Sequence, residues 1–317
     1  MFTLQELRRA QLIIGQVTAA SPQREWPLVS ARLGTSAVVK HENHLPTGAF
    51  KVRGGLIYVE RLQRERSGVK GIISATRGNH GQSLALAAGR YGVPVTIVVP
   101  HGNNPEKNSA MIALGARLIE HGADFDEARE EAKRIASRDG LEMVPSFHRD
   151  LVLGVATYAL ELLEAESGLS RLYVPVGLGS GICGCILVRD LLGLATEIVG
   201  VQAAGAPSYA LSFQAGSIVT TPEAKTFADG AATRIPDPAA FDIIRRGVAD
   251  IVTVEDQEIG EAIRAYWTDT HNLAEGAGAM PLAAALKQRG DIAGKRIGLV
   301  LSGGNIDIAT FLKNVPH

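Results

Sequence analysis

The stretch His41-Glu-Asn-His-Leu-Pro-Thr-Gly-Ala-Phe-Lys-Val-Arg-Gly-Gly55 decides what kind of chain this is. Here a Pro-Thr-Gly turn and a phenylalanine deliver Lys51 to the start of an otherwise apolar helix. Taken alone, a lysine is nearly always a solvated surface charge. What lies around this one in the rest of the chain changes that estimate.

Working outward, short β-branched runs alternate with helical patterns. GIISA (71 to 75), VPVTIVVP (93 to 100), ARLIEH (116 to 121), RLYVPV (171 to 176), TEIVGVQ (196 to 202) and KRIGLVL (295 to 301) read as strands. Alternation of this kind predicts an α/β fold with two open parallel sheets, flanking helices and a cleft between two domains. The set of elements from 69 to 149 predicts a smaller, mobile domain, and residues 1 to 68 with 150 to 317 a larger one. The charged helix DFDEAREEAKRIASRDG stops at Gly140, a C-cap signal. Between 215 and 250 the pattern dissolves into Gly, Pro, Thr and Ala, which predicts a long ordered loop.

The composition is that of an ordinary globular chain. At 317 residues the chain is long enough for two domains. With 32 basic and 33 acidic side chains its net charge is -1, and no basic patch offers itself to a nucleic-acid backbone. No run approaches the length of a membrane span. MFTLQELRRAQLIIG reads as a helix rather than an export signal, so a cytoplasmic location is expected. Cys183 and Cys185 read as core packing, and no metal-ligand set is found. Glycine is the outlier, at 35 residues, and no repeat accounts for it.

Three glycine-bearing turns stand at the carboxyl ends of strands: TRGNHGQ (76 to 82), GLGSGICG (177 to 184) and SGGN (302 to 305). Each is expected to open a helix, where unpaired N–H groups and the helix field favour an anion. The middle turn matches G-x-G-x-x-G. The acidic residue that a dinucleotide ribose would need is absent, since the next strand ends in Gln202 followed by Ala-Ala-Gly. A single phosphate suits such a cradle better.

ENHLPTGAFKVRGG, SATRGNHGQS, VPVGLGSG and LSGGNID, in this order, closely resemble the pyridoxal-phosphate lyases of fold type II, the tryptophan-synthase-β-like group, in their serine/threonine dehydratase branch. The resemblance runs from Pro27 to Asp307. It implies that Lys51 carries the cofactor and removes the α-proton of the substrate. It places Phe50 beside the ring, Asn79 at the phenolic oxygen, the N–H groups of Gly177, Leu178, Gly179, Ser180 and Gly181 on the phosphate, and Ser302 at the pyridine nitrogen. A neutral hydroxyl at that nitrogen gives a weaker electron sink than an aspartate would, which suits elimination over transamination. Gly230 and Glu275 are implied at the ring edge. The substrate carboxylate is implied on Thr76, Arg77, Gly78, Asn79 and His80. Arg129 aligns with an arginine brought in on closure; it also reads as a helix charge beside Glu130 and Glu131.

Two departures from the family pattern carry expectations. Racemising relatives have a serine where this chain has Arg77, so racemisation is expected to be weak. Relatives with a divalent-cation site have carboxylates where this chain has Gln202 and Ser208, so no metal is expected. The chain ends soon after Asp307, which implies a short, unregulated, catabolic form, and the resemblance implies a homodimer.

The function implied is dehydration and deamination of a threonine- or serine-like β-hydroxy amino acid to a 2-oxo acid and ammonia. The alternatives are a serine-type racemase, a β-replacement synthase, a dehydratase for a larger substrate such as 3-hydroxyaspartate or phenylserine, and a pyridoxal-phosphate-binding protein without turnover. The synthase motifs S-G-S-x-K-D-R and T-S-G-N-T-G are missing. The presence of Lys51 argues against a protein without turnover.

Overall fold

The computed structural model describes residues 1–316. Its strands are β1 (Gln23–Glu25), β2 (Ser36–His41), β3 (Ile72–Ala75), β4 (Val95–Val99), β5 (Arg117–Glu120), β6 (Glu142–Met143), β7 (Arg171–Pro175), β8 (Glu197–Ala203), β9 (Asp250–Val254) and β10 (Arg296–Leu301). They form a six-stranded sheet of order β1-β2-β10-β7-β8-β9 and a four-stranded sheet of order β5-β4-β3-β6. Every pairing is parallel except β1 on β2.

The inner strands are continuous apolar runs because helices cover both faces of a parallel sheet, leaving no face for polar side chains. Val95 to Val99 is buried throughout, as is Ile72 to Ala75. At the edge, β5 ends in exposed Arg117 and Glu120, charges that discourage further pairing. The small sheet packs Ile73, Ala75 and Val98 against Ala128, Ala132 and Ile135 of the helix Phe125–Asp139. That helix is capped by the Asp124 carboxylate and ends at Gly140 with φ 67°, the left-handed stop its sequence predicts.

The helix Arg149–Ala165 is buried along nearly its whole length. It packs against the helix Lys51–Glu65 on one side and the helix Ser180–Leu191 on the other. Each fully buried Leu or Val there contributes roughly 1.5–3 kcal/mol. The two elements that carry Lys51 and the Gly177 turn are thereby held against one rigid rod. Cys183 and Cys185 are buried in the Ser180–Leu191 helix, and burial pushes both thiols well above their ordinary range.

Two expectations are corrected. The segment 215 to 250 is not a loop throughout, for it contains the helix Pro238–Gly247. Asp237 caps the N–H groups of Ala239 and Ala240, Pro238 takes the first helical position, and Ala240, Phe241 and Ile244 are buried on one face. Nor does the SGGN turn open a helix, since the next one begins only at Ile308. Its backbone pairs sideways instead: the Phe50 N–H donates to the Ser302 carbonyl (3.0 Å) and the Gly304 N–H to the Gly48 carbonyl (2.9 Å).

Candidate active site

Lys51 is the first residue of its helix, and Phe50 precedes it with no side-chain cap. The backbone bond from Phe50 to Ser302 fixes this start against the end of β10. From the neighbouring helix Asn79–Gly89, the Ser83 hydroxyl donates to the Lys51 carbonyl at 2.6 Å. The Lys51 amine donates to the Ser180 hydroxyl at 3.4 Å and lies 4.9 Å from the Phe50 ring centre. Burial pushes its pKa down to about 8, with the Glu275 charge acting in the opposite direction. A lysine so placed is a usable nucleophile and base near neutral pH.

The turn Gly177–Gly179 follows β7 and leads into the Ser180–Leu191 helix, whose N-terminus has no side-chain cap. Gly179 has φ 107°, and a Cβ there would lie 2.8 Å from the Ala240 methyl. A Cβ on Gly177 would collide with the Gly230 carbonyl, so a side chain at either place would shut the turn. The Tyr209 hydroxyl donates to the Leu178 carbonyl (2.9 Å) and holds the turn's shape despite the non-glycine residue. Free N–H groups at an uncapped helix N-terminus suit a phosphate dianion.

Asn79 begins its helix, and its amide orientation is set from both ends. Asn305 Nδ2 donates to Asn79 Oδ1 (2.9 Å), and Asn79 Nδ2 donates to the Glu275 carboxylate (2.8 and 3.0 Å). Glu275 is buried, and burial raises its pKa. Ser302 is buried just past β10. In the Thr76–His80 turn, the Gly78 N–H donates to the Thr76 hydroxyl (3.0 Å) and Arg77 is exposed. His80 is buried with Nε2 unpartnered; burial, aided by Lys51, depresses its pKa to about 3, so the ring is neutral.

Every site residue that the sequence offered, Gly78 excepted, lines one cavity of about 680 Å³ between the two sheets. Arg129 is both a wall residue and a helix charge, pairing with Asp126 (3.1 Å) and Glu130 (3.6 Å) but not with Glu131. At the two positions on which the expectation of no metal rests, Gln202 Oε1 accepts from the Ala210 N–H (2.9 Å), its Nε2 is buried without a partner, and the Ser208 hydroxyl donates to the Thr233 carbonyl (2.7 Å). Unforeseen participants are Lys107, Asp229, Asn305 and Arg234. Asn305 closes the SGGN turn and Asp229 stands beside Gly230 in FADGAA, so both could have been suspected; nothing local marks Lys107 and Arg234.

These residues fit pyridoxal phosphate. They supply an amine of lowered basicity, an uncapped helix N-terminus whose turn has no room for a Cβ at Gly177 or Gly179, and the Ser302 hydroxyl lining the same cavity. The chain is 41% identical over 283 residues to an L-threonine ammonia-lyase of Geobacter sulfurreducens, covering 89% of this chain and 70% of that one. It is 34% identical over 285 residues to an L-threo-3-hydroxyaspartate ammonia-lyase of Saccharomyces cerevisiae, covering 90% and 87%. Its fold superposes on maize serine racemase with a TM-score of 0.91 at 28% identity, covering 98% and 96%. Because residues 15–303 match the family as a whole, the chain belongs to the pyridoxal-phosphate dependent enzymes.

Proposed function

We infer that the chain is a pyridoxal-phosphate-dependent ammonia-lyase that converts a threonine- or serine-like β-hydroxy amino acid to a 2-oxo acid and ammonia. The observation that carries this is one cavity holding Lys51, Ser302 and two uncapped helix N-termini. When bound, the cofactor supplies an electron sink that acidifies the α-C–H. Lys51 takes the α-proton. The Thr76–His80 turn binds the substrate carboxylate, and the Gly177–Gly181 N–H groups bind the cofactor phosphate. Phe50 would pack beside the cofactor ring, with Asn79, Glu275 and Gly230 along its edge. Ser302 would offer the cofactor nitrogen a hydrogen bond without a charge, which suits loss of the β-hydroxyl, leaving as water once it has taken up a proton. Hydrolysis of the released enamine then yields the oxo acid and ammonia.

Elimination is favoured over racemisation because Arg77 is permanently charged and a poor proton donor where racemases use a hydroxyl. The unpartnered Gln202 N–H donors disfavour a divalent cation, which needs oxygen ligands. Residues 69–149 are read as a small mobile domain, supported by the four-stranded sheet lying within 72–143. Arg129, on its rim, would reach the substrate on closure. A cytoplasmic, catabolic enzyme is the setting proposed; among the described residues no helix is long and apolar enough to cross a membrane.

A panel of L-threonine, L-serine, L-threo-3-hydroxyaspartate and phenylserine, assayed after EDTA treatment in potassium buffer, tests the whole reading. Oxo acid and ammonia should appear in equal amounts from at least one, with little D-serine from L-serine. Absence of oxo acid from all four, or activity restored only by Mg²⁺ or Ca²⁺, would count against it.

A further inference from the structure

Lys107 belongs to the helix Pro105–Ala113, which follows β4 of the small sheet, yet it is only 5% exposed. A buried ammonium persists only when paired. Its Nζ lies 2.9 and 2.7 Å from the two Asp229 oxygens and 3.7 Å from Glu275 Oε2. Both carboxylates belong to segments of the six-stranded half, so the cluster spans the cleft. The stem of Lys107 also occupies the space that a Cβ on Gly78 would need, so the same side chain backs the Thr76–His80 turn. A chain of contacts therefore runs from the Thr47 carbonyl through Asn305, Asn79, Glu275 and Lys107 to Asp229.

Asn79 explains why the charge on Glu275 matters. Its oxygen is taken by Asn305, so it must present its NH₂ to Glu275, which has to remain an acceptor. A protonated Glu275 would keep one oxygen for Asn79 but lose the second of its two contacts and the charge that faces Lys107. The groups facing Glu275 are Lys51, Asn79, Lys107 and Asp229, with His80 neutral beside Lys51. Burial and Asp229 both push Glu275 towards protonation, and Lys107 is the foremost charge opposing them.

We propose that Lys107 is a positioning residue for the elimination, whose contacts with Glu275 and Asp229 across the cleft hold Asn79 and the Asp229–Ala231 turn in register with the cofactor site. The proposal rests on the ammonia-lyase reading above. Lys107 itself stays charged, for although burial depresses its pKa, Glu275 and Asp229 outweigh that and leave it raised.

The test uses the cofactor-loaded protein and reads the pH midpoint of its visible absorption change without substrate, together with kcat and KM. Lys107→Met should move the midpoint and the acid limb of kcat upward by about 1–3 pH units, since an opposite charge at this range shifts a carboxyl by that much. It should lower kcat on the order of 10²-fold, as small misplacements do, with a lesser change in KM. With Glu275→Gln already in place, Lys107→Met should produce no further midpoint shift. Asp229→Asn should move the midpoint the other way, and this variant decides the matter if Lys107→Met does not fold. An unchanged midpoint in both single variants, or a shift that persists in the Glu275→Gln background, overturns the proposal. Failure of the wild-type protein to release oxo acid would overturn the ammonia-lyase reading and leave the spectral result standing by itself.

Discussion

Lys51 shows how a residue's chemistry is made by its surroundings. Its ammonium has lost water to burial and has gained in return the Ser180 hydroxyl at 3.4 Å, the face of Phe50 and the charge of Glu275, which do not make up the loss. The neutral form is favoured, and the pKa falls to about 8. Below that pH the amine is protonated and cannot attack, so cofactor uptake by cofactor-free protein should speed up as pH rises and be half-maximal near pH 8. Stopped-flow recording of the yellow band checks this; a rate independent of pH between 6.5 and 9.5 would contradict it. Lys51→Ala should fold, fail to form the borohydride-sensitive yellow band, and lose at least about 10³-fold in turnover, within the span that one positioned proton-transfer group supplies.

The Lys51 helix is anchored by a cluster of buried charges two residues further on. The Arg53 guanidinium donates to Glu42 (2.7 and 3.0 Å), Glu161 (2.7 and 2.9 Å) and Thr157 (3.0 Å), while Lys40 pairs with Glu161 at 2.6 Å. Two cations balance two anions, and they tie β2, the turn after it, the Lys51 helix and the Arg149–Ala165 helix together. Burial costs each ion several kcal/mol, so the cluster is worth more as a fixture of geometry than as net stability. Removing one member exposes the cost. Arg53→Met leaves Glu42 and Glu161 short of their partner and should destabilise the cofactor-free protein by about 3–5 kcal/mol. Urea unfolding of the two proteins measures this, and a loss under 1 kcal/mol would show that the cluster relaxes instead.

Across the whole molecule, the segments that carry the two sheets share one apolar core through the helices Lys51–Glu65, Asn79–Gly89 and Arg149–Ala165, and polar contacts join them around the cavity. Besides the Lys107 cluster, Asn104 Nδ2 donates to Asp307 (2.7 Å) and Arg234 pairs with Asp124 (3.3 Å). The Arg234 pair is more than a third exposed on both sides, so it contributes little energy. On the outer surface, Leu28, Trp267, Ile308 and Leu312 are more than half exposed on three neighbouring helices, with Trp267 stacked edge-on to Phe311. For the homodimer that the family resemblance implies, we propose this face as the contact with a second copy of the chain. Light scattering should give twice the 33.5 kDa chain mass, and Trp267→Asp should give the single chain at micromolar concentration. A monomeric wild-type protein would refute this assignment.

Several features followed from the sequence because the forces behind them are local. The β-branched runs 72 to 75 and 95 to 99 form strands, Gly140 ends its helix, and the turn before Lys51 puts that residue at a helix start, each from preferences acting within a few residues. The segment 238 to 247 was open to the same treatment, since Asp237-Pro238 is a helix-start signal; the surrounding Gly, Pro and Thr obscured it. Tertiary structure alone decided the rest. Asn79 meets Glu275 across 196 positions and Asn305 across 226, and Lys107 meets Asp229 across 122. No periodicity or spacing encodes such pairings. They arise where two sheets bring the ends of distant strands to one cleft, and where burial obliges each charge and amide to find a partner.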